Sequence, residues 1–134
     1  MSWDVLLLRL PDCIASVQDI PDGYLPPPLG RRRDVLAAVT RAVPGAGLAE
    51  PDRGELLGAT WSMGLDIGST DPVDSIMLHV RGSGDDALTT VFRLAEALHC
   101  KVLDCSEGEL ITPGGTPGWH AFQQYRDRVT SSVH

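Results

Sequence analysis

In the segment LLGATWSMGLDIG (residues 56–68), Leu57, Ala59, Trp61, Met63, Leu65 and Ile67 alternate with Gly58, Thr60, Ser62, Gly64 and Asp66. A period of two marks a strand with one buried and one wet face, since a helix spreads side chains at that spacing around its whole circumference. The turn signal GSTDP (68–72) follows, and then DSIMLHVR (74–81), where Ile76, Leu78 and Val80 share one face and Met77, His79 and Arg81 the other. Two strands this close in sequence form an antiparallel hairpin, which needs an apolar layer against one of its faces.

The rest of the chain offers that layer. WDVLLLRL (3–10) holds four consecutive apolar residues, Val5 to Leu8, and reads as a central strand covered at least in part on both faces. RRRDVLAAVTRAV (31–43) carries Val35, Val39 and Val43 at helical spacing and stops at Pro44-Gly45, with loop over 45–55. A second helical stripe, over 85–99, has Leu88, Val91, Phe92, Ala95 and Leu98. CKVLDC (100–105) reads as a short strand, and Thr116-Pro117 opens a last helix over 119–129. The proline-rich stretch 16–30 is a long ordered loop. Strand, helix, strand, strand, helix, strand predicts a ferredoxin-like βαββαβ sandwich of class α+β. It has a four-stranded antiparallel sheet, both helices on one face and an extra C-terminal helix, in a single domain over 1–134.

Charge narrows the partners. With 18 acidic against 11 basic residues the net charge is −7, which repels nucleic-acid backbones and anionic membranes and suits a basic protein. Aromatics at 5% also disfavour an RNA-stacking sheet. The N-terminal apolar run lacks a basic flank and no window approaches a membrane span, so Cys13, Cys100 and Cys105 read as reduced, buried thiols of a cytoplasmic protein.

The candidate chemistry is sparse. Gly82-Ser83-Gly84 ahead of a helix resembles a phosphate loop, but no lysine follows and Asp85 and Asp86 bring negative charge. Ser83 and Asp86 stand at capping-box spacing, so helix capping is the expectation. Asp66, Asp71 and Asp74 lack calcium-loop spacing and read as turn formers, and the four-residue gap between Cys100 and Cys105 suits zinc poorly. No metal, cofactor or catalytic residue is assigned. The wet hairpin face is left, with Asp66, Met77, His79 and Arg81, joined by Arg9 if the odd positions of the first strand point outward. There His79, Arg81 and Asp66 have the chemistry of an acid–base residue, an anion clamp and an orienting carboxylate. Arg31, Arg32 and Arg33 oppose the dipole of the helix they precede, which points to a role outside helix stability for this run, beside Tyr24.

The segments SWDVLLLRLP, DPVDSIMLHVRG and FQQYRDR resemble a family of small bacterial cytosolic proteins, over most of the chain. The resemblance implies a stand-alone bacterial domain of the kind that accompanies toxin systems as an immunity partner, and it brings no catalytic residue. The function expected is a protein-binding module, in its specific form an inhibitor that docks on a basic toxin. Its surface is the wet sheet face with Asp66, Met77, His79 and Arg81, plus Tyr24, Arg31 and Arg32 on the neighbouring loop. The alternatives are a small enzyme or ligand-binding protein using His79, and a homo-oligomeric structural domain, a homodimer among its forms, that covers the sheet face with its own copy.

Overall fold

In the computed structural model, residues 2–45, 47–50, 53–113 and 115–131 are described, leaving aside the side chains of 47–50, 126 and 129–131. Strands β1 (Trp3–Leu8), β2 (Gly47–Glu50), β3 (Arg53–Leu57), β4 (Trp61–Asp66), β5 (Ile76–Gly82), β6 (Lys101–Asp104) and β7 (Glu109–Ile111) form one antiparallel sheet in the order β2-β3-β4-β5-β1-β6-β7. Helices α1 (Arg32–Ala42), α2 (Asp86–Ala97) and α3 (Pro117–Ser131) complete an α+β architecture. The four strands read from the sequence are the consecutive middle of this sheet. Four is nevertheless too few, because β2 and β3 extend one edge and β7 the other.

The missed strands have a local cause. Gly58 lets the chain reverse with the Trp61 ring lying over it, where any side chain would collide, and the Gly58 N–H donates to the Trp61 carbonyl. The apparent alternation from Leu57 therefore breaks at this turn. Leu56, not Leu57, points into the core, and Leu57 is 77% exposed. Most of the stretch expected as loop over 45–55 is the β2–β3 hairpin, while Ala46, Pro51 and Asp52 lie outside the described residues.

All three helices cover one face. Trp3, Val5 and Leu7 of β1, Met63 and Leu65 of β4, Ile76, Leu78 and Val80 of β5 and Val102 of β6 share a core with Val35 and Val39 of α1, Val91 and Leu94 of α2 and Trp119 of α3. The odd positions of β1 thus face inward, against the condition under which Arg9 would join the wet face. Arg9 instead donates to the carbonyls of Leu98 and Pro28. Nor is β1 covered twice: Asp4, Leu6 and Leu8 on its other face are partly exposed.

Each of the three tryptophans donates to an aspartate, the buried Trp3 and Trp119 and the partly exposed Trp61 alike. The indole N–H groups of Trp3, Trp61 and Trp119 donate to Asp104 (3.1 Å), Asp86 (2.8 Å) and Asp85 (3.1 Å). An indole N–H taken from water needs such an acceptor. Asp104 is fully buried and also accepts from the Ser106 hydroxyl and the Ser106 and Glu107 backbone N–H groups. The ring of Trp119 meets that of Trp3 at 5.1 Å and seats α3 on the sheet end. The expected capping box is corrected by the same contacts. Asp85 is the N-cap of α2 without a side-chain capping bond, and the carboxylates of Asp85 and Asp86 are held by indoles.

Candidate functional site

The sheet face away from the helices carries three registered rows. Leu57, Ser62 and Arg81 make the first; Glu55, Gly64, His79 and Asp4 the second; Arg53, Asp66, Met77, Leu6, Leu103 and Leu110 the third. Side chains directly opposite on neighbouring strands touch, so each row acts as a unit. In the third, Met77, Leu6, Leu103 and Leu110 join four strands into an apolar band, each partly exposed. The exposed Cys105 borders the band, its Sγ 3.9 Å from Met77 Sδ.

The second row holds the most ordered polar contact on this face. Asp4 Oδ1 lies 2.8 Å from His79 Nδ1 and accepts from the Ser2 hydroxyl at 2.6 Å. Partial burial raises the Asp4 pKa, but the Ser2 hydroxyl, the His79 ring and the charge of Arg81 outweigh it and hold the carboxyl below its ordinary value. In the neutral ring the Nδ1 proton faces Asp4, which leaves Nε2 as the acceptor. The sequence pointed to Asp66 as the orienting carboxylate. The register puts Asp66 opposite Met77 and Asp4 opposite His79, because the face is completed by β1, which is distant in sequence.

Gly64 leaves a notch between Glu55 and His79. A cavity of about 250 Å3 opens there, lined by Arg53, Gly54, Gly64, Leu65, Asp66 and His79. Arg53 and Asp66 are paired in register across β3 and β4, yet no ion pair joins them. Asp66 Oδ1 accepts only the Gly68 N–H, closing the turn after β4.

Of the other expected site residues, Arg32 turns inward. Its backbone N–H donates to Asp71 and its guanidinium to the carbonyls of Gly68 and Thr70, clamping the β4–β5 connection to the start of α1. Arg31 is the exposed N-cap of α1, and Tyr24 is partly exposed beside Leu25, which is 86% exposed. Arg81 is exposed at the edge of the first row. Thus Asp66, Met77, His79 and Arg81 share one face, while Arg32 belongs to a structural clamp.

The remaining candidates also resolve. The Ser83 N–H of the glycine loop donates to the Thr60 carbonyl, so it is not turned toward an anion. No group of three metal-ligating side chains occurs among the described residues. The cysteines are free, but Cys13 and Cys105 are exposed rather than buried. Burial pushes the Cys100 thiol up to about 11 against the opposing charge of Arg9, which makes it a poor nucleophile. The Cys105 thiol is raised too, by burial and then by Asp4 and Asp104. Sequence reading missed a groove along α2. Its apolar end, about 380 Å3, is lined by Ile14, Phe92, Cys100 and Ile111, and it shares Phe92, Glu96 and Pro113 with a more polar cavity of about 540 Å3 that reaches His120. Its walls come from α2, β6, β7, the loop after β1 and the start of α3, which are far apart in sequence.

No family model matches this chain, and no curated protein or solved structure matches it. No helix among the described residues is long and apolar enough to cross a membrane.

Proposed function

We propose that the protein is a binding module that docks on another protein through its open sheet face. The observation that carries this reading is the registered apolar band Leu6, Met77, Leu103 and Leu110, lying on a face that no helix covers among the described residues. A band of partly exposed apolar side chains, with Asp4 beside it and Asp66 and Arg53 at its end, has the make-up of a small interface, apolar inside and charged at the rim. The middle of the sheet, in the order β4-β5-β1-β6, is read as a ferredoxin-like core enlarged at both edges. The net charge of −7 favours a basic partner. An immunity-type inhibitor of a basic toxin is the specific form that also agrees with the resemblance to small bacterial cytosolic proteins.

The test is capture of partners by the tagged chain and by a Met77→Lys/Leu103→Lys variant. The reading requires one stoichiometric, basic partner held by the parent and released by the variant, with association slowing as salt rises. A partner held equally well by both moves the interface elsewhere and defeats it.

The Asp4–His79 pair supports a second reading, in which the same face binds or turns over a small ligand with His79 as the proton acceptor. Loss of an activity in His79→Ala with folding intact selects that reading, whereas altered partner affinity without turnover selects the first.

A further inference from the structure

Directly opposed charges on neighbouring strands normally meet, and such pairs contribute to sheet stability. Arg53 and Asp66 occupy opposed positions, but they flank a cavity of about 250 Å3 instead of bonding to one another. The floor is bare because Gly64, opposite Glu55 and His79, brings no side chain to it. The third polar wall is His79, whose Nδ1 is engaged by Asp4 so that the neutral ring keeps Nε2 as an acceptor. The notch therefore offers a guanidinium on one side and, on the other, a carboxylate and an imidazole nitrogen.

We propose that this notch binds a small zwitterion, of the class of free α-amino acids. The ligand carboxylate pairs with Arg53, which matches carboxylates in a two-pronged fashion. The ligand ammonium donates to Asp66 and to His79 Nε2, a geometry that neither a simple anion nor a simple cation satisfies at both ends. Charges of both signs surround the notch, Asp4, Glu55 and Asp66 against Arg53 and Arg81, so each end of a zwitterion meets an opposite charge. The α-carbon substituent faces the open mouth, so the class is fixed by its two charged ends and not by its side chain. This site does not depend on the apolar band or on the docking reading.

The experiment is a titration of the full-length protein with glycine, followed through the His79 ring resonances, with acetate and methylammonium as single-ended probes. Glycine is expected to give a saturable shift, while acetate and methylammonium give none over the same range. Arg53→Gln and Asp66→Asn each weaken glycine binding by roughly tenfold, the loss of one charged contact. Both side chains are exposed, and an unchanged melting temperature verifies that each variant folds. Leu103→Lys, on β6 and two strands from the nearest notch residue, leaves glycine binding intact even where it abolishes protein docking, so failure of either reading is seen separately. Absence of a saturable glycine shift overturns the proposal. Acetate binding as tightly as glycine overturns it in favour of a plain anion site, and unchanged affinity in both variants removes the notch from the binding.

Discussion

The two faces of the sheet are written by the same strands in alternate residues, and they end in opposite states. On the helix side, Trp3, Val5, Leu7, Met63, Leu78 and Val80 are buried to 2% exposure or less, and the indole N–H of Trp3 has found a buried carboxylate. On the other side, Leu6, Met77 and Leu103 are equally apolar but remain partly exposed, and the charged residues beside them leave a notch unfilled. Residue type does not explain the contrast, since both faces carry leucine and methionine at central positions. What differs is whether the chain supplies a second layer. The helix side is stabilised by burial within the fold, and the open side holds apolar area whose burial awaits something else.

Neighbouring substitutions sharpen the contrast. Leu78→Ala, on the buried face of β5, is expected to destabilise the protein by about 2–5 kcal/mol in chemical denaturation, because it removes a fully buried side chain and leaves a cavity. Asp104→Ala orphans the Trp3 indole N–H and three further donors, with an expected loss of about 1–3 kcal/mol or somewhat more. Gly118→Ala attacks the same contact from α3, where a new Cβ would collide with Asp104 Oδ2, and is expected to lower the melting temperature through overpacking of about 1–3 kcal/mol. Met77→Ala, one residue from Leu78 but on the open face, should change stability by less than about 1 kcal/mol. If Met77→Ala proved as costly as Leu78→Ala, the two faces would not differ in the way described.

The smallest effect belongs to Asp4. Its carboxyl is held below its ordinary value in the folded protein, so its stabilisation is complete above the ordinary aspartate range and is lost as the pH falls through the depressed value. Asp4→Asn should therefore be less stable than the parent at neutral pH by under about 1 kcal/mol, given the exposure of the pair. The difference should close on acidification, as read by melting curves from pH 7 down to pH 2. A gap that widened in acid would show that Asp4 is destabilising when ionised.

Much of the fold was legible because alternation and helical spacing are local. The α1 and α2 stripes fall within a residue or two of their observed ends, and the β4–β5 hairpin with His79 and Arg81 outward is as read. The β2–β3 hairpin was hidden by its composition, since glycine and charged residues in RGELL give no apolar alternation. Leu57 was misassigned because a turn reset the phase that a linear reading carries through. The partner of His79 was out of reach for another reason: Asp4 lies 75 positions away, and nothing local records which strand is placed beside β5.

The α+β class, the helices, the central hairpin and the acidic balance can be read along the chain, because each depends on residues adjacent in it. Tertiary structure alone decided that the sheet has seven strands, that each tryptophan meets an aspartate, that Asp4 orients His79, and that Arg53 and Asp66 stand apart across a notch. Those features come from strand order and register, which are set when the whole core is buried at once, and burial is a property of the assembled layers rather than of any one segment.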